Sequence, residues 1–200
     1  MTYISECSAP DLSDIRTPVL ANYTLNISLA GGGTSDRKAG SFVINCILTI
    51  DKAIREYNAG RGLLVQYVAS ANRTTLLIES LGRFETCINS AKRALRHVDR
   101  LARHAGGPDV ERAVRRLLDS YGKAITPVRD AIEHMDDAVS AERLADGEPH
   151  TLAISRDSKY LEIAGHRLAF NRLAQLLRHL HGLAEELARF NERSVGLPDT

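Results

Sequence analysis

The sequence predicts a mainly all-α protein: an up-and-down bundle of four to five helices with a small β-hairpin at about residues 151–164. Three observations predict it. Apolar residues recur at helical spacing through the middle and end of the chain. Clusters of turn residues (Gly106-Gly107-Pro108, Gly122 with Pro127, Gly147-Glu148-Pro149) punctuate those stretches. Period-two alternation is confined to short runs.

The first twenty residues, with Pro10, Pro18 and many Ser, Asp and Thr, read as an irregular arm. In YTLNISLA, Tyr23, Leu25, Ile27 and Leu29 alternate with polar residues and stop at Gly31–Gly33, the pattern of a half-buried strand over about 23–29. Helical spacing then runs over 39–57 (Phe42, Val43, Ile47, Ile50, Ile54) to a stop near Gly60, with a further helix over 63–68. The longest periodic region is 73–104, whose stripe includes Leu77, Leu81, Phe84, Ile88, Leu95 and Leu101. Asp109 is a candidate cap for the helix carrying Val110, Val114, Leu117 and Leu118. Gly122 and Pro127 then bend or break the chain. Thr126-Pro127 reads as an N-cap and first helical residue, because proline lacks only a donor that would be unpaired there; a continuous, kinked helix is the competing reading. HTLAISRDSKYLEIAG forms two short alternating runs around a polar RDSK turn, a hairpin that the strand at 23–29 could join. A last helix spans 168–193. Domain boundaries follow: an arm over 1–36, one helical domain over 37–193 that includes the hairpin at 150–165, and a tail over 194–200.

At 200 residues the chain is long enough for one domain with a real core, and its net charge of +1 recruits no polyanion by global field. The charge is unevenly placed, however. Residues 83–116 carry nine Lys/Arg against four Asp/Glu, a net of +5, and residues 117–148 carry three against eight, a net of −5. Cys7, Cys46 and Cys87 are odd in number and far apart, which argues against a disulfide framework or a zinc site and suits a reducing, cytoplasmic setting. No signal-peptide pattern opens the chain, and no apolar run approaches the roughly 18 residues of a membrane span.

Several chemistries drop out by motif. There is no G-x-x-x-x-G-K-[ST], G-x-G-x-x-G, G-x-S-x-G or H-E-x-x-H. Asp130 and His134 share a helix face with Asp136 and Asp137 nearby, but no second Glu-x-x-His helix completes a di-iron bundle, so neither metal nor cofactor is expected. His97, His104, His179 and His181 read as solvated. The stretch TPVRDAIEHMDDAV stands out. Its plainest reading is structural: Arg129 and Glu133 form an i, i+4 ion pair, Asp130 suits an early helical turn, and His134 is exposed without a task.

The same stretch resembles the signature of the HEPN superfamily: an arginine, a polar residue, then a histidine. Arg129, Asp130 and His134 match it, and Glu133-His134-Met135-Asp136-Asp137 resembles the acidic tail of bacterial members. The resemblance implies a four- or five-helix bundle that dimerises, and in catalytic members a metal-independent endoribonuclease. RNA carries its own nucleophile, the 2′-OH, so such a site needs an acid/base group and a cation. Histidine exchanges a proton near neutral pH, and arginine holds a phosphate through paired hydrogen bonds. By resemblance His134 and Arg129 take those roles, with Asp130 orienting His134 or holding Arg129. Glu133, Glu79 and Glu85 are supporting candidates, and Arg93, Arg96, Arg100 and Arg103 are candidate RNA contacts. On an ideal helix, residues five apart diverge by about 140°. Either a distorted turn at Thr126-Pro127 or two subunits meeting across a dyad would have to bring Arg129 and His134 together. The resemblance further implies a homodimer, an RNA substrate, an antitoxin or nucleotidyltransferase partner, and a role in stress response, phage defence or a toxin–antitoxin pair. A non-catalytic HEPN-like dimer that binds nucleotides or proteins is the alternative.

Overall fold

A computed structural model describes residues 4, 6–70, 73–105, 107–141 and 147–190. Six helices and one small sheet are present among them: α1 (Val19–Ala30), α2 (Arg37–Ala69), α3 (Thr74–Ala102), α4 (Arg112–Glu133), α5 (Met135–Ser140), β1 (Ala153–Ile154), β2 (Tyr160–Ile163), β3 (His166–Ala169) and α6 (Phe170–Arg189). The expectation of a mainly α-helical chain with a small hairpin holds. The tail at 194–200 and the end of the last expected helix lie outside the described residues.

The fold is organised by α2 and α3, which run antiparallel along their whole length. His104, just past the end of α3, places Nε2 2.9 Å from Oδ2 of Asp36, the N-cap of α2, while near the other end Arg83 pairs with Glu56 at 2.9 Å. At Gly60 the two backbones come close. A Cβ there would sit 3.1 Å from Cβ of Arg83 and 3.2 Å from the Ser80 carbonyl oxygen, and Ser80 Oγ donates to the Gly60 carbonyl at 2.8 Å. This explains a correction. Gly60, read in sequence as a stop between helices at 39–57 and 63–68, is an interior residue of one 33-residue helix, where it serves packing. Between the helices lie Ile47, Ile50, Ile54, Tyr57, Phe84 and Ile88, all fully buried. Burial also pushes the Cys46 thiol up to about 12, so it is an inert core side chain.

The stretch 23–29 is not a strand but part of α1. A strand would have buried Tyr23, Leu25, Ile27 and Leu29 together; the helix buries Val19 and Tyr23, one turn apart, and leaves Leu29 81% exposed. Partners distant in sequence decide the outcome. The buried carboxylate of Asp51 accepts the N–H groups of Val19 and Leu20, both at 3.0 Å, and so caps a helix that has no cap of its own. At the other end Gly31 turns left-handed (φ 62°), and Asn26 Nδ2 donates to the carbonyls of Ala188 and Phe190 at the end of α6. The residues ahead of α1 are also tied down: Arg61 Nε donates to the Ala9 carbonyl, Tyr57 Oη to that of Pro10, and Arg178 binds Asp14.

The expected hairpin is β1–β2, with Ile154 opposite Leu161. Its third strand comes from the C-terminal side rather than from 23–29. Ala164 and Gly165, both at positive φ, make a two-residue turn into β3, so Leu168 belongs to a strand and α6 begins at Phe170. Asp109 does not cap α4, whose N-cap is Glu111.

The helix expected to start at Thr126 does not start there. The competing reading is observed: α4 continues through Pro127. An interior proline costs about 3 kcal/mol because it removes a backbone donor and crowds the preceding turn. Ile125 and Val128, fully buried on either side of it, hold the helix on course. Tyr121 locks α4 to α6 from the same face: Arg172 stacks over its ring at 4.0 Å, and its hydroxyl reaches Gln175 at 3.3 Å. Asp51→Ala is expected to lower stability by about 2 kcal/mol, since two helical N–H groups lose their acceptor in a buried site. Urea denaturation measures this, and a loss under about 0.5 kcal/mol would refute the capping role.

Candidate functional site

Because α4 does not break at Pro127, it carries Arg129 inward, toward α2 and α3. The Arg129 side chain is only 14% exposed. Its Nη1 donates to Asp130 Oδ1 at 3.0 Å, and its Nη2 pairs with Glu133. The ion pair expected from the i, i+4 spacing is present, and Asp130 takes the second of its two candidate roles: it holds Arg129.

Arg129 and Glu133 form one wall of a cleft of about 450 Å³. The rest comes from Lys52 on α2 and from Lys92, Arg93 and Arg96 on α3, with Asn89 among the polar groups between them. Five cationic side chains thus meet one carboxylate. Basic side chains packed so closely repel one another, and the arrangement favours a bound anion. The acidic tail that followed Arg129 in sequence does not follow it into the cleft. Asp136 and Asp137 belong to α5, beyond the end of α4.

That end is at His134, whose backbone N–H still bonds the Asp130 carbonyl at 2.9 Å. The His134 side chain is 65% exposed, with Nδ1 3.5 Å from Asp137 Oδ2. It is not among the residues lining the cleft. Within one chain Arg129 and His134 therefore point apart, as the helical angle requires.

The other candidates divide. Arg93 and Arg96 line the cleft; Arg100 and Arg103 are exposed farther along α3. Glu79 is exposed and Glu85 half-buried on α3, and neither lines it. Sequence reasoning missed Lys52 and Lys92. Lys52 reaches the site only through the antiparallel register of α2 on α3. Lys92 points across to α4, where its Nζ donates to Thr126 Oγ1 at 2.6 Å. Thr126 in turn donates to the Gly122 carbonyl at 2.6 Å, one turn back along α4. His97 lies half-buried on α3, where burial, and then the charges of Arg100 and Arg93, lower its pKa.

Among the described residues, no group of three or more His, Cys, Asp and Glu is placed to hold a metal ion, and no helix is long and apolar enough to cross a membrane. Comparison with family models, curated proteins and solved structures finds no match.

The cleft's charge can be tested without a physiological ligand. Glu133→Gln removes its one carboxylate, and tripolyphosphate is expected to bind about fivefold more tightly, as for one relieved repulsion near the surface. The gain should shrink in 1 M salt, where screening is short-ranged. Calorimetry reads both; an unchanged or weaker affinity would mean that the cleft does not take the anion.

Proposed function

We propose that this chain is a cytoplasmic, metal-independent endoribonuclease of HEPN type, in which Arg129 of one copy and His134 of a second copy act on the same phosphate. The observation that carries the reading is the placement of Arg129, the motif arginine, in the cleft with Lys52, Lys92, Arg93 and Arg96. Those cations suit a phosphodiester backbone. The exposure of His134 at the end of α4 suits the other half, because an imidazole turned away from its own cleft is available to a neighbour's.

The chemistry then needs only these groups. His134 takes the proton of the 2′-OH as its oxygen attacks the adjacent phosphorus. The bond from phosphorus to the 5′-oxygen breaks, the His134 imidazolium gives its proton to that leaving oxygen, and a 2′,3′-cyclic phosphate remains. Arg129 offsets the charge that develops on the phosphoryl oxygens. Asp130 and Glu133 fix the plane of its guanidinium. Asp137, beside His134 Nδ1, steadies the imidazolium. A role in stress response, phage defence or a toxin–antitoxin pair, with an antitoxin or nucleotidyltransferase partner, would follow from the HEPN resemblance.

One observation favours a second reading, a non-catalytic dimer that binds nucleotides or a protein partner: Arg129 is already engaged by two carboxylates. Cleavage assays in EDTA separate the two. Wild-type protein is expected to leave cyclic-phosphate ends, and Arg129→Ala and His134→Ala are each expected to lose at least about 100-fold. Mixing the two inactive variants should restore about a quarter of the wild-type rate, because half of the dimers are mixed and each rebuilds one of two sites. Absence of cleavage by wild type across varied RNAs would leave the second reading. Cleavage without rescue on mixing would place both residues in one chain's site.

A further inference from the structure

A second cleft, of about 490 Å³, lies between α3 and α4 beside the first, and Lys92 and Arg96 line both. Its character is different. Leu95 and Val98 on α3 face Leu118, Gly122 and Pro127 on α4, and Val98 and Leu118 are each only 2% exposed. Two carboxylates, Asp99 and Asp119, and a further cation, Lys123, join this lining, and all three residues are exposed. Arg115, also in the lining, has a buried Nε with no hydrogen-bond partner among the described residues. The volume is within the roughly 300–1,000 Å³ of small-ligand pockets.

These groups point to one chemical class. Four cations meet two carboxylates here, against five and one in the first cleft, so a phosphate is drawn more strongly to the first. What the second cleft suits is a flat body with apolar faces and an edge that both donates and accepts hydrogen bonds. The carboxylates accept from N–H groups, and the ammonium of the exposed Lys123 donates to a ring nitrogen or carbonyl. An unpaired nucleobase has that form, and its phosphate would extend past Lys92 toward Arg129. Resting on the RNA reading above, we propose that the α3–α4 cleft is a base-binding subsite for one unpaired nucleotide next to the scissile phosphate. Its carboxylates select bases that carry an exocyclic amine, so cytosine and adenine are held in preference to uracil.

Calorimetry on the full chain with CMP, AMP, UMP and inorganic phosphate tests this. CMP and AMP are expected to bind at least tenfold more tightly than UMP or inorganic phosphate. A Cβ at Gly122 would meet Leu95 Cδ1 at 3.4 Å, so alanine fits there and a longer side chain must enter the cleft. Gly122→Leu should therefore reduce CMP binding to the level of inorganic phosphate while tripolyphosphate binding in the first cleft persists. Asp119→Asn, a substitution at an exposed position, should abolish the preference of CMP over UMP. Nucleotides that bind no better than inorganic phosphate would overturn the proposal, as would CMP binding unchanged by Gly122→Leu. If Gly122→Leu loses tripolyphosphate binding too, Asp119→Asn decides: a lost preference supports the subsite and a retained one overturns it. Base-selective binding without RNA cleavage would sink the endoribonuclease reading and leave the subsite standing. Cleavage that Gly122→Leu leaves unaltered on every RNA would do the reverse.

Discussion

The constraint on which the rest of the structure depends is the close antiparallel contact of α2 with α3 at Gly60. These two long helices contribute Ile47, Ile54, Phe84 and Ile88 to one core that α6 completes, with Phe84 against Phe170. Their relative register is held by the Gly60 contact, where a side chain on residue 60 would crowd Arg83 and the Ser80 backbone, together with the Asp36–His104 and Glu56–Arg83 pairs. With that register fixed, Lys52 comes level with Thr86 and Asn89, and a cation of α2 joins those of α3 in a single cleft. The electrostatics of the candidate site are thus a consequence of helix packing. A core contact between two helices decides which cations line the cleft.

Several helix ends are met by polar side chains, two of them from elements far away in sequence. Asp51 on α2 starts α1, Asp36 starts α2 while holding His104 beyond the end of α3, and Asn26 on α1 finishes α6. Each is a short polar side chain meeting a helix end, where unpaired backbone groups would otherwise be buried or left to water. Caps supplied from other elements, with the contacts of Arg61, Tyr57 and Arg178, are why the N-terminal residues fold against α2 and α6 although their own composition reads as an irregular arm.

That same feature marks the limit of what could be read from sequence. The long periodic regions were legible because burial on one helix face repeats every three to four residues, and the β1–β2 hairpin because its alternation is bounded by a polar turn. Residues 23–29 misled, because Leu25, Ile27 and Leu29 lie on an alternating pattern yet stay exposed, while the helix is held by Asp51 and Gly31, one of them far away in sequence. Pro127 misled for a related reason. Its local preference for a helix start is real, but buried Ile125 and Val128 outweigh it. At the candidate site the motif residues on α4 could be found from their spacing. Lys52, Lys92 and the α3–α4 cleft could not, since they arise from a register that no local pattern encodes.

The uneven charge of the chain takes its meaning from this geometry. A net of +5 followed by a net of −5 suggests two segments that neutralise each other on packing. Neutralisation is in fact selective. Asp130 and Glu133 are spent on Arg129, Asp137 lies beside His134, and Asp99 and Asp119 stand at the second cleft. Lys52, Arg93 and Arg96 face a cleft whose one carboxylate is already paired with Arg129. Opposite charges sorted in this way along one groove give it a direction: a strongly cationic end that attracts a phosphate, and a more apolar end where Asp99 and Asp119 offset the cations and accept N–H donors. A nucleotide has the same polarity, phosphate at one end and base at the other. A near-neutral chain can therefore present an oriented site for such a ligand without the global positive field that nonspecific nucleic-acid binding requires.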